Sequence, residues 1–94
     1  MNIDEKIIKR AISTWGDRAQ TNMLSEECTE LSLAVQKYLN RGKQVKHYTN
    51  LIEEIADVNI MIAQANMMFP KEQIQIAIDE KLQRLSDRLD RKEF

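Results

Sequence analysis

One cysteine, Cys28, leaves this chain unable to form an intrachain disulfide, which fits a reducing cytoplasm as the expected location. One proline and two glycines give it few places to turn, and its abundant Ile, Leu, Ala, Glu, Lys and Gln favour helix. Neither charge sign is in excess. A formal net charge of −1 gives no bulk attraction to nucleic acid or to an anionic membrane, so any anionic ligand must be held by a local basic cluster. No apolar run reaches the roughly 18 residues of a membrane span. The N-terminus, with Asp4 and Glu5, does not read as a signal peptide. The loop cations Arg41, Lys43 and Lys46, with Lys37 before them, lack the interleaved aromatics of a nucleic-acid platform.

What the chain does have is helical periodicity over residues 1–94, read as one all-α domain of four helices. The first is expected from about Ile3 to Trp15, capped by Asn2 and stopped by Gly16. The second is expected from about Asn22 to Asn40, burying Leu24, Cys28, Leu31, Val35, Tyr38 and Leu39. Gly42 then opens a polar loop holding Lys43, Lys46 and His47. The third is expected from Asn50 to Met68 and is apolar on nearly every side, which suits the middle of an assembly. The fourth starts near Pro70, carries the stripe Ile74, Ile78, Leu82, Leu85 and Leu89, and frays before Phe94. A domain of this size buries only about 60% of its unfolded surface, so completion of the bundle by self-association is expected.

Two acidic clusters interrupt the apolar pattern: Glu26-Glu27-Cys28-Thr29-Glu30 and Glu53-Glu54-Ile55-Ala56-Asp57. Removing an ion from water costs several kcal/mol even after relaxation, so carboxylates bordering a core need solvent or a cation. On the second helix Glu27 lies roughly 60° from the centre of the apolar stripe, Glu30 roughly 120° and Glu26 about 160°. Glu27 and Glu30 are i, i+3 neighbours, as are Glu54 and Asp57. Glu53 has another use: with Asn50 as cap it would hold the third helical position of a capping box. Carboxylates converging from two helices make an all-oxygen site suited to Mg²⁺. Lys81, Arg84 and Arg88 form a basic edge on the fourth helix, the counterpart a metal-bound polyphosphate requires. Cys28 is read as core, His47 as solvated and Trp15 as a core anchor.

The two clusters together, Glu-Glu-x-x-Glu at 26–30, 23 intervening residues, then Glu-x-x-Asp at 54–57, resemble the signature of the MazG-like all-α nucleoside triphosphate pyrophosphohydrolases. Trp15-Gly16 and Gln20 resemble that family's lead-in, and Lys81 and Arg88 its terminal basic positions. The resemblance implies a four-helix MazG-like bundle forming a homodimer or homotetramer. It implies Mg²⁺, with Mn²⁺ as a substitute, held by Glu27, Glu30, Glu54 and Asp57, with Glu26 matching the motif. It implies hydrolysis of a nucleoside triphosphate to the monophosphate and pyrophosphate, a nucleotide-pool housecleaning reaction. Lys81, Arg84, Arg88, Trp15 and Gln20 are then the expected substrate contacts, with neither nucleic acid nor membrane as partner. The alternative is a non-catalytic oligomeric helical interaction module, which would show no divalent-cation dependence. A di-iron or di-manganese carboxylate oxidoreductase would need Glu-x-x-His pairs, and the sole histidine, His47, is expected in a loop.

Overall fold

The computed structural model describes residues 1–42 and 44–92; the loop cation Lys43 and the expected frayed end at Phe94 lie outside them. Four α-helices form and, among the described residues, no strand: α1 (Glu5–Trp15), α2 (Asp17–Asn40), α3 (Val45–Met68) and α4 (Lys71–Asp90). The helix boundaries differ from expectation at three starts, each for a local reason. Asp4, not Asn2, caps α1, its carboxylate accepting from the Lys6 N–H at 2.9 Å. Gly16 takes φ 88° and donates to Ile12 O at 2.8 Å, closing α1 within one residue so that α2 begins at Asp17 rather than near Asn22. Gly42, at φ 83°, lies in the next connection, which runs from Arg41 to Gln44. Gln44 O then accepts from the His47 and Tyr48 N–H groups at 3.0 Å, starting α3 at Val45 instead of Asn50.

The early start of α3 corrects two expectations. Lys46 and His47 lie in its first turn, not in a loop, and Glu53 is an exposed mid-helix residue rather than part of a capping box. A tilted contact between Tyr38 and Tyr48, ring centroids 6.3 Å apart, ties the added α3 turn to the end of α2. At the other end Phe69, held extended by Pro70, closes α3 by donating to Ala65 O at 2.9 Å. Pro70 stands just before α4 as its cap residue, where its missing N–H costs nothing.

The antiparallel pair α2–α3 is the body of the fold, and α1 packs across both. Its buried residues are Ile8, Ala34, Met61 and Ala65, together with two amides, Gln20 and Gln64. The Gln20 Nε2 donates to Gln64 Oε1 at 2.6 Å across the pair, and Gln64 Nε2 faces Met61 Sδ at 3.7 Å. Gln20, Glu27 and Ala34, at seven-residue spacing, turn toward α3. Cys28, about 100° further round, is exposed rather than core. Leu39 and Trp15 are also exposed, against expectation.

α4 departs furthest from the expected bundle. It touches only α3 and buries none of its residues, so three helices pack together and the fourth stands off. The second apolar stripe of α3 is uncovered too: Ile52, Ile55, Ile60 and Ile62 are exposed. No helix among the described residues is long and apolar enough to cross a membrane.

The buried amide pair yields a stability prediction. Gln64→Leu should destabilise the protein by about 1–3 kcal/mol, because it strands the Gln20 amide away from water. The double change Gln20→Leu with Gln64→Leu should recover most of that loss. Urea unfolding of the two variants beside the parent measures both effects.

Candidate metal centre

Halfway along the α2–α3 pair, the antiparallel packing sets Glu27 of α2 against Glu54 and Asp57 of α3. One carboxylate oxygen from each lies within 4.8 Å of the others. Glu27 and Glu54 are half-buried and Asp57 is exposed, so the trio lies at the edge of the helix interface. Glu54 Oε2 is enclosed and accepts no hydrogen bond. An enclosed carboxylate oxygen without a donor is unfavourable unless a cation completes it.

The electrostatics agree. Partial burial raises the pKa of Glu27 above the ordinary 4.5, and the charges of Asp57, Glu54 and Glu30 raise it further, with a contribution from its hydrogen bond to Asp57. Glu54 is raised by partial burial first, then by Asp57, Glu30 and Glu53. No lysine or arginine figures among the groups acting on either carboxylate. Like charges crowded against a partly apolar wall hold protons above their usual range, and a divalent cation displaces them. The donors are all oxygens and one is orphaned, so the residues present fit a hard cation such as Mg²⁺ or Mn²⁺.

The other expected site residues distribute unevenly. Glu30 is exposed and close enough to act on Glu27 and Glu54, but it stands outside the trio. Glu26 is exposed and outside it as well. Gln20, expected against substrate, is buried and bonded to Gln64. Trp15 lines an open groove of about 910 Å³ with Arg18, Asn22, Ser25, Met68 and Phe69. That groove sits where Trp15, the start of α2 and the end of α3 meet, and none of Glu27, Glu54 and Asp57 lines it. One protomer therefore does not bring Trp15 to the acidic trio. Lys81 and Arg84 are exposed and Arg88 half-exposed on the outlying α4.

Gln64 is the residue near the site that the sequence pattern did not single out. The available signal was an amide inside the most apolar helix, seven residues after Asp57. A second charged cluster lies at the α2–α3 turn, where partial burial and then Lys46, Arg41 and Lys37 push the His47 pKa below its ordinary value. No protein-family model, curated protein or solved structure matches this chain.

The raised carboxylates fix the sign of a pH effect. The folded chain binds more protons than the unfolded one between the ordinary glutamate pKa and the raised values. In chelator, this site's contribution to stability should therefore decline as pH climbs from about 4.5 through the raised values. Asp57→Asn should raise the melting temperature in chelator at neutral pH, by removing one of the repelling charges. Millimolar Mg²⁺ should raise that of the parent and erase the gap. Calorimetry of both proteins over a pH series, with and without Mg²⁺, provides the check.

Proposed function

We propose that the chain is a Mg²⁺-dependent hydrolase that splits a nucleoside triphosphate into the monophosphate and pyrophosphate. The observation that carries this reading is the meeting of Glu27, Glu54 and Asp57 across two helices, with an enclosed Glu54 oxygen that has no donor. The two-part acidic motif at 26–30 and 54–57 adds the MazG-like resemblance. Bound Mg²⁺ supplies charge neutralisation at the phosphate oxygens. Glu27, Glu54 and Asp57 would hold it, and Glu30 would add negative charge beside them. Glu26, further out, completes the motif without entering the trio.

In the reaction a water oxygen forms a bond to phosphorus and an anhydride P–O bond breaks, with the pyrophosphate unit carrying away the bonding pair. The water's proton passes to a carboxylate at the site. Lys81, Arg84 and Arg88 would supply the positive charge that phosphate oxygens require. The exposed apolar residues of α3 and α4 support a homodimer or homotetramer. The same surfaces would serve a non-catalytic interaction module, so association does not separate the two readings, whereas divalent-dependent turnover does.

The test is pyrophosphate release from a panel of nucleoside triphosphates, modified bases included. Release should occur with at least one substrate, stop in chelator, and return with Mg²⁺ or Mn²⁺. Asp57→Asn should lower turnover by at least two orders of magnitude, on the scale of losing a transition-state electrostatic contact. Glu53→Gln, at an exposed mid-helix position, should stay within about 0.5 kcal/mol of the parent in stability and keep appreciable activity. A panel that releases no pyrophosphate at any Mg²⁺ concentration would leave the interaction module standing. Light scattering should give a dimer or tetramer mass, and a monomer at micromolar concentration would remove the association.

A further inference from the structure

The end of the molecule where α2 gives way to α3 is a bare tip. α1 joins α2 through Gly16 and α4 follows Phe69 and Pro70, so both leave from the opposite end of the α2–α3 pair. With 11 residues against the 24 of α2, α1 covers about 16 Å of a 36 Å helix even if laid along it. Residues 31–52 carry Lys37, Arg41, Lys43, Lys46 and His47 and no acidic side chain. The flanking acids, Glu30 and Glu53, stand about 10 Å of helix from Lys37 and Lys46 respectively. Lys37, Arg41 and Lys46 have no ion-pair partner among the described residues.

Helix stability does not account for this charge. Lys37 and Arg41 suit the negative end of the α2 dipole, but Lys46 and His47 stand in the first turn of α3, at the positive end, and no acidic residue there offsets them. The cations also converge. After partial burial, the charges of Lys46, Arg41 and Lys37 all depress the His47 pKa, so two helices direct them at one place. Aromatic rings meet there as well. The connection itself holds none, but the early start of α3 sets Tyr48 against Tyr38, ring centroids 6.3 Å apart. Lys37, Tyr38 and His47 are half-buried, whereas Arg41 and Lys46 are exposed and Tyr48 stays 53% exposed. The fold thus interleaves cations and aromatics that the sequence keeps apart.

We infer that the α2–α3 tip binds single-stranded nucleic acid, with Lys37, Arg41 and Lys46 on backbone phosphates and Tyr48 stacked on an unpaired base. The cations supply attraction that is blind to sequence and sensitive to salt, and an aromatic face accepts any base. A duplex keeps its bases stacked on one another and offers no free ring to Tyr48, so a single strand is the better occupant. His47, held below its ordinary pKa, is neutral at neutral pH and leaves three charges for three phosphates. Lys37 lies about 15 Å of helix beyond Glu27. The strand therefore occupies a place apart from the acidic trio, and the inference does not rest on the proposed hydrolysis.

The test uses the full-length protein in chelator, with a fluorescein-labelled oligothymidylate of about 15 nucleotides, near the upper site size of a single-strand binding module. Anisotropy should show binding that weakens with salt, log K falling against log[salt] with a slope of about −2, the value for three phosphates of a single strand. Arg41→Ala and Lys46→Ala, at exposed positions, should each reduce that slope by about 0.7. Tyr48→Ala should weaken binding roughly 5- to 150-fold, the span of one base–aromatic stack, and leave the slope alone. Tyr48→Phe should bind as the parent does. If Tyr48→Ala loosens the turn, the Arg41 and Lys46 variants carry the test. Absence of binding at low salt would overturn the inference. So would binding that is lost in Lys81→Ala with Arg88→Ala but kept in the tip variants, which would put the strand on α4. Thymidine monophosphate competing as well as the strand would make the tip a mononucleotide site, and capture by phosphatidylserine vesicles without oligonucleotide binding would make it a membrane contact; either result refutes the assignment.

Discussion

Everything at the centre of this fold turns on carboxylates that the α2–α3 packing forces together. Glu27 occupies the same inward line of α2 as Gln20 and Ala34, a line that an ordinary helix pair would fill with apolar side chains. Its neighbours across the gap are Glu54 and Asp57. Packing holds the three oxygens close, and their mutual repulsion works against that packing. The fold thus carries a local weakness at its midpoint, one that protonation relieves, since burial and the neighbouring carboxylates raise the pKa of Glu27 and Glu54. Stabilisation by whatever binds the folded site follows from mass action alone.

The sequence disclosed the class of fold, and the meeting of Glu27 with Glu54 and Asp57, more fully than the helix starts. Long apolar periodicity with two glycines and one proline left little but helices, and four formed. Their starts shifted because Gly16 alone joins α1 to α2, and because α3 begins directly after Gln44. A single left-handed residue can replace a loop of several, and nothing in the flanking sequence announces it. Glu27, Glu54 and Asp57 were legible because i, i+3 spacing fixes which side chains share a face. The inward face of α2 lies about one residue from the expected one, so Cys28 is exposed and Gln20, expected among the substrate contacts, is buried. A strip of mixed polarity does not reveal its own rotation; the partner helix sets it, through contacts such as Gln20 with Gln64.

The role of α4 could not be read from periodicity. Its leucines repeat as those of a buried helix do, and the repeat carries no information about which chain supplies the cover. A stripe of this kind is satisfied equally by its own bundle or by a neighbour's, and the connection decides between them. Phe69 and Pro70 form a two-residue extended connection, and a proline there prevents α3 from continuing into α4 as one rod. The result is an arm whose direction is set locally while its apolar and basic faces stay open.

The hydrogen bond from Gln20 to Gln64 has a consequence for geometry that outruns its modest energy. Two helices in contact can slide past each other by one turn, about 5.4 Å, and still mesh ridge into groove. Apolar side chains such as Ala34, Met61 and Ala65 penalise such a slip weakly, because one methyl-lined notch resembles the next. A buried amide does not tolerate it: a shift of one turn separates the donor from its acceptor, 2.6 Å away, and leaves both dry. Gln20 stands seven residues before Glu27, and Gln64 seven after Asp57. The amide pair is thus a gauge two turns from the carboxylates, setting the helices to the one alignment in which three oxygens converge.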